Sequence, residues 1–459
     1  MTAFAPRLPI PTPRERPAGP AAFLLGIATN PLSLLTRRHY EELFVPMRGL
    51  LGTTAVVSDP AAIRHILIDN AAHYRKDPLQ LRVLKPIFGE GMLTADGADW
   101  RRQRRTLAPL FTPRRTALHA RAMLEAGLAF RATLDAYPDG AAIRVDQAMA
   151  ELTLDVLSRT ILRGGLGAEP KIVTAALRRY LATAGRVDPL DVLGAPAWLP
   201  RLGRTFGRGA VQTLGRVVDD LVAARRGEPG AQGRDDLIAA LLDARDPETG
   251  QGLTESEIRD NVLTLMAAGH ETTANALTWT LLLLGAHPGV RAACEAEIDA
   301  AGPLDDDPAA APDRLPLVKA VIEESMRLYP PAATLSREAI APDVVAGHAL
   351  PAGATVFISP WVVHRHRRLW DEPDAFRPER FLGPARDAIP RFSYLPFGAG
   401  PRICIGAAFA MQEAVILLAT LLRSHRFEMQ PGEDAPGPVQ RVTVRPKGGL
   451  TLRVHRRPA

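Results

Sequence analysis

The stretch Phe397–Gly406, FGAGPRICIG, holds one of only two cysteines in the chain. It sets Cys404 among glycines, beside an arginine and a proline, just ahead of the apolar run AAFAMQEAVILLATLL. A cysteine that only packs a core needs none of these neighbours. Gly398 and Gly400 open backbone conformations closed to other residues, so the loop can aim N–H groups at the sulfur. The helix expected to follow would turn its positive end toward Cys404 and favour the thiolate. A nucleophilic cysteine would want a histidine base in a local signature, and none is present. A zinc site would want more cysteines or paired histidines. The reading that is left is a thiolate ligand to the metal of a cofactor. Arg402 could meet an anionic group of that cofactor, and Gly406 would let the chain pass close to a flat ligand.

The rest of the chain bounds this reading. It has 459 residues, 46% hydrophobic and 23% charged, as expected of a soluble protein with a large core. Two cysteines exclude a disulfide framework. Cys294, in VRAACEAEID, reads as a buried packing residue, which fits a reducing compartment. No apolar run reaches the roughly 18–20 residues of a membrane span. The first thirty residues are proline-rich. The apolar run Ala21–Ala28 is too short for an anchor, and Glu15 with the prolines before it argues against a signal peptide. A cytoplasmic protein without a membrane anchor is expected. Net charge is +6, yet nothing resembles a nucleic-acid module and aromatics are only 5%. The arginines concentrate in WRRQRRTLAPLFTPRR at 100–115. That segment suits an acidic protein partner, and equally a solvated helix face.

Helical periodicity dominates. AMAELTLDVLSRTIL, DNVLTLMAAGHETTANALTWTLLLLG and GAAFAMQEAVILLATLLRS space apolar residues at i, i+3 and i+4 or are apolar almost all round. Strand-like runs are short: 53–58, 354–359 and 441–445. Segments 225–236, 302–316 and 383–391 read as surface loops. No repeat is visible. The expected architecture is mainly α with small β-sheets: a proline-rich N-terminal segment at 1–35, then a single domain at 36–459.

Two helical segments carry unusual residues. In AAGHETT, His270-Glu271 begins like the zinc helix H-E-x-x-H, but position 274 is alanine, so that reading fails. Gly269 removes bulk, and Thr272 can turn its hydroxyl back to the Ala268 carbonyl and bend the helix. Glu271 puts a carboxylate in an apolar setting. These features make either a notch lined by a hydroxyl and an acid or an ordinary helix irregularity with a solvated glutamate. In EESMRLYPP, Glu324 and Arg327 lie at i, i+3 and share one side of a helix.

FGAGPRICIG resembles the haem-binding signature F-x-x-G-x-R-x-C-x-G of the cytochrome P450 superfamily, matching at Phe397, Gly400, Arg402, Cys404 and Gly406. AAGHETT resembles that family's A/G-G-x-D/E-T-T element at Ala268, Gly269, Glu271, Thr272 and Thr273. EESMR resembles its E-x-x-R, FRPERF its P-E-R-F, and DWRRQRR its W-x-x-x-R. The resemblance runs from about residue 40 to the end.

It implies the P450 fold, a triangular helical body around a buried haem. It implies heme b (iron protoporphyrin IX) with Cys404 as axial thiolate, a ligand that pushes electron density to the iron and favours O–O cleavage. Trp100, Arg104, Arg402 and Arg337 would meet the propionates. Phe397, Gly398, Gly406, Ala268 and Gly269 would border the ring. Thr272 would act in oxygen activation, and Glu271 would relay protons from solvent. Glu324, Arg327 and Arg380 would form a buried network holding the loop before Cys404. Thr264, Ala267, Ala333 and Leu335 would line the pocket of a small hydrophobic or weakly polar substrate.

The resemblance also implies a monooxygenase using O2, a monomer of the soluble bacterial type with separate redox partners. An acidic ferredoxin or flavodoxin, with an NAD(P)H-dependent reductase, would dock near Arg101, Arg102 and Arg105. No flavin-binding motif or second cysteine cluster follows residue 424, so separate donors are expected. A haem-thiolate peroxygenase or isomerase is the alternative, but it would typically lose or replace the threonine. A haem-based ligand-binding or sensor protein, the alternative of another class, would have no use for a proton relay.

Overall fold

The computed structural model describes residues 9–49, 52–160, 173, 175, 176, 179, 187–196, 198–227, 237–430 and 432–457. Its axis is the helix Glu255–Ala286. A capping box opens it: the Glu257 N–H donates to Thr254 Oγ1 at 3.2 Å, and the Thr254 N–H to Glu257 Oε2 at 2.9 Å. Every residue is buried from Asn261 to Ala267, and again from Thr273 to Leu284. This central helix therefore shows little amphipathic pattern, because protein surrounds it on nearly all sides. It packs against the helices Val145–Thr160, Pro316–Leu328 and Ala407–Leu422. One apolar core joins all four with the helix Pro288–Ala301, in which Cys294 is fully buried.

Beside this mass lies a five-stranded sheet in the order Phe44–Gly49, Gly52–Val57, Thr355–Ile358, Leu335–Ala339, Tyr74–Lys76. Only the pairing of Gly52–Val57 with Thr355–Ile358 is parallel. The register sets Lys76 opposite Arg337, which matters for the site. Near the C-terminus, the single strand expected at 441–445 is replaced by a hairpin of Pro438–Gln440 and Val444–Pro446. Between its strands the Arg441 N–H donates to the Thr443 carbonyl at 2.9 Å.

Other loop expectations need correction. Segment 302–316 contains the short helix Ala311–Arg314, and 383–391 contains Gly383–Asp387. In both, a proline at the start of the helix supplies a pre-set φ and lacks an N–H that would otherwise need a partner. Of the loop expected at 225–236, residues 228–236 lie outside the described residues.

In the N-terminal segment, Pro20–Thr29 is a helix opened by a proline in the same way. Asn30 then joins it to the C-terminal hairpin. Its Nδ2 donates to the Pro438 carbonyl at 3.1 Å, and its Oδ1 accepts from the Gln440 N–H at 3.0 Å.

Candidate active site

The cysteine loop is shaped by its glycines. Gly398 and Gly400 both have φ of +73°, and a Cβ on Gly400 would lie 1.9 Å from the Leu67 carbonyl oxygen. The loop closes when the Cys404 N–H donates to the Phe397 carbonyl at 2.8 Å. Gly406 is the N-cap of the helix Ala407–Leu422, with open space where a side chain would stand. The Cys404 thiol is reachable by solvent, yet protein surrounds it on most sides. Burial pushes the thiol up from its ordinary value, against the Gly406 N–H and the Arg104 charge, which both pull it down. The Gly406 N–H at the helix start thus acts in the direction that favours the thiolate, and in the free thiol desolvation outweighs it.

A cluster of cations gathers beside the cysteine. Arg402 pairs with Asp96, and its guanidinium carbon stacks 4.1 Å from the Trp100 ring centroid. Its Nη1 is buried without a partner. Arg337 is partly buried opposite Lys76; burial and the Arg402 charge pull it down to about 10. Lys76 donates its Nζ to the Met92 carbonyl at 3.2 Å and to that of Leu93. Burial, followed by the charges of Arg402 and Arg337, pulls its ammonium down to about 7. Arg104 is half-buried and interacts with Cys404.

Four cations thus converge, and Asp96 is the carboxylate that acts on Lys76, Arg337 and Arg402. Like charges gathered in a desolvated place are costly unless an anion joins them. The donor set fits a ligand bearing two carboxylates, with the orphaned Arg402 Nη1 ready to bind one. The sequence reading missed Lys76 and Asp96. Asp96 carried one legible signal, as an N-cap aspartate ahead of a helical run: its Oδ1 accepts from the Gly97 N–H at 2.8 Å.

The central helix has an open face opposite its buried ones. Ala268 is exposed and Gly269 and Thr272 are partly so, although their neighbours on both sides are buried. The Thr272 hydroxyl donates to the Ala268 carbonyl at 2.6 Å. Gly269 does more than border this face: its Cβ would come 3.1 Å from Leu157, so its bareness lets the Val145–Thr160 helix pack close. Glu271 points elsewhere. Its carboxylate lies 3.8 Å from Arg445 of the C-terminal hairpin. Burial pushes that carboxyl up, against Arg445, Thr443 and Asn275, which pull it down.

The structure brings Glu324, Arg327 and Arg380 together. The Arg327 guanidinium forks onto Glu324 at 2.6 and 2.7 Å, with both side chains fully buried. Arg380 stands 3.5 Å from Glu324. Arg327 also donates to the carbonyls of His364, Pro373 and Ala375 at 2.7–2.8 Å. The network thus grips residues 364–375, upstream of the cysteine loop. His364 passes the hold onward, accepting the Leu395 N–H on its Nε2 at 2.7 Å.

Thr264, Ala267 and Ala333 are buried within packed protein, while Leu335 is partly open and meets Gly398. A cleft of about 770 Å³ lies between the 78–86 and 191–201 segments. Of the basic segment, Arg102 is paired with Glu257, and Arg105 with Asp246 at 2.9 Å and Glu248 at 2.8 Å. These ion pairs engage two arginines expected to be free for docking. Arg101, Arg114 and Arg115 stay exposed.

A mainly helical body, a cysteine in a glycine-shaped loop and a convergent cation cluster make a site that fits an anionic cofactor bound through sulfur. The chain belongs to the cytochrome P450 family, whose model matches residues 36–453. It is 34% identical to cyclooctatin synthase of Streptomyces melanosporofaciens, over 93% of this chain and 92% of that protein. It is 33% identical to pentalenene oxygenase of Streptomyces avermitilis, over 86% of each. It is 31% identical to the chloroplastic protein LUTEIN DEFICIENT 5 of Arabidopsis thaliana, over 91% of this chain and 73% of that one. The family implies a haem held by a cysteine thiolate, electrons from redox partners and a small-molecule substrate, and the chain is a P450 of the monooxygenase class. Among the described residues, no helix is long and apolar enough to cross a membrane.

Proposed function

We propose that this chain inserts one oxygen atom of O2 into a hydrophobic, terpenoid-like substrate, with Cys404 as the thiolate ligand of heme b. The observation that carries this reading is the gathering of Lys76, Arg337 and Arg402 around Asp96, with Arg104 beside Cys404. Haem iron held by a thiolate supplies the oxygen-activating chemistry. The chain's own residues do the rest. The four cations and Trp100 seat the propionate edge. The open face of Ala268, Gly269 and Thr272 borders the oxygen site, where the Thr272 hydroxyl donates and accepts hydrogen bonds. Glu271 moves protons between solvent and that face.

Electrons come from a separate acidic ferredoxin or flavodoxin, served by an NAD(P)H-dependent reductase. Arg101, Arg114 and Arg115 form its docking charge, and the Arg101 charge acts directly on Arg402. The substrate class is supported by the names of the similar Streptomyces proteins and by the apolar lining of the helices around the site.

The test is an absorption spectrum of the purified protein, repeated with terpenes, fatty acids, steroids and aromatic acids. The expected result is a haem-thiolate spectrum that Cys404→Ser abolishes, and a high-spin shift with terpenes. Failure to bind haem overturns the cofactor reading. A shift confined to aromatic acids overturns the substrate class.

A further inference from the structure

The C-terminal hairpin lies along one side of the central helix. Glu271, Asn275 and Trp279 are spaced i, i+4, i+8 and so share a face. Each meets the hairpin. Arg445 Nη1 stands 3.8 Å from Glu271 Oε1. Asn275 Nδ2 donates to Thr443 Oγ1 at 3.1 Å, and Trp279 Nε1 to the Val444 carbonyl at 3.3 Å. The Val444 N–H is fixed in turn, donating to the Pro331 carbonyl at 2.9 Å. Thr443 and Asn275 also interact with the Glu271 carboxyl.

We propose that Arg445, held in place by the Thr443–Asn275 and Val444–Trp279 bonds, is the positioning residue for Glu271, and that protons reach the carboxylate along the solvent-facing side of this hairpin. The proposal rests on the reading of Glu271 as the relay acid.

Three observations carry it. The Glu271 side chain is 12% exposed and that of Arg445 24%, so the pair lies where the buried acid comes nearest to water. The 3.8 Å separation is longer than a hydrogen bond, so the guanidinium orients the carboxylate without occupying it. Third, the charged group acting on Glu271 is Arg445. His270, next in the chain, is fully buried and interacts with the Ala150 backbone, and burial keeps its ring neutral, down at about 4. Arginine does not release its own proton. A proton from bulk solvent passes through water beside Arg445 to the Glu271 carboxylate, and that water takes up one proton as it gives up another.

Two readouts test this on the haem-loaded enzyme. Infrared titration of the resting protein follows the protonated carboxyl band that Glu271→Gln removes. Oxygen consumption without added substrate, driven by a surrogate plant-type ferredoxin and its NADPH-dependent reductase, is compared in light and heavy water. Arg445→Gln should move the Glu271 titration to higher pH and slow oxygen consumption about threefold or more, with a larger solvent isotope effect, as contacting residues couple. Arg445→Lys should restore most of both, which a merely structural loss would not allow. If Glu271→Gln leaves the isotope effect unchanged, the relay reading itself fails. If Glu271→Gln alters it but Arg445→Gln moves neither the titration nor the isotope effect, or Glu271 is ionised alike in both proteins across the stable pH range, Arg445 is not its positioning residue.

Discussion

Gly400→Ala tests how the cysteine loop is held. Gly398 and Gly400 share a φ of +73°, so alanine at either meets the same backbone penalty, about 1–2 kcal/mol. They differ in what a methyl would touch. At Gly398 it meets only Leu335 Cδ1 at 3.6 Å, an ordinary contact. At Gly400 it would sit 1.9 Å from the Leu67 carbonyl oxygen and 2.9 Å from its carbon, both backbone atoms. Relieving that overlap means displacing the loop or the Leu67 segment, adding about 1–3 kcal/mol. Gly400→Ala should therefore destabilise the protein by about 2–5 kcal/mol and Gly398→Ala by about 1–2. Urea denaturation followed by tryptophan fluorescence reads the stability, and the absorption spectrum reads whether the thiolate stays on the iron. Equal destabilisation by the two substitutions would refute the steric argument and leave only the backbone term.

Glu324→Gln should cost about 3–5 kcal/mol, because it strands the fully buried Arg327 charge, and should appear as a lower urea midpoint with an unchanged slope. Thr272→Ala should retain haem but release hydrogen peroxide, lowering product formed per NAD(P)H consumed; unchanged coupling would remove Thr272 from oxygen activation. Burial pushes the Glu413 carboxyl up to about 8. The folded state therefore holds a proton that the unfolded chain has released, and this group's contribution to stability is lost as pH rises from the ordinary glutamate range toward 8. Glu413→Gln should gain on the wild type across that range by up to about 1.4 kcal/mol per pH unit, seen in urea midpoints at pH 5 and pH 8. Arg101→Glu should raise the ferredoxin concentration needed for half-maximal reduction and flatten its salt dependence, whereas Arg105→Glu should chiefly destabilise, by breaking the Asp246 pair.

The sequence was most legible where signals are local. The three long apolar helices follow from spacing alone, and the strands near 53–58 and 354–359 from short β-branched runs. Tyr74–Lys76 was not legible, because three residues carry no periodicity and are strand only through pairing with Leu335–Ala339. The same distance hid Lys76 and Arg445. Lys76 joins the cation cluster through a partner strand more than 250 residues later, and Arg445 meets Glu271 across a fold that only tertiary packing builds. Arg102 and Arg105 looked free because their acidic partners lie in segments near 246–257 with no sequence mark of the pairing.

The clasp at Asn30 has a consequence for biosynthesis. Asn30 holds Pro438 and Gln440, and Arg441 Nη1 donates back to the Ala28 carbonyl at 3.1 Å, across more than 400 residues. A ribosome emits residues 20–36 more than 400 residues before the hairpin. Through most of translation the early helix Pro20–Thr29 has no mate, and the strand that carries Arg445 does not yet exist. This clasp fastens only after the hairpin has emerged, and it closes a loop of more than 400 residues. Nascent chains stalled before residue 438 would thus lack both the mate of the early helix and the strand that meets Glu271.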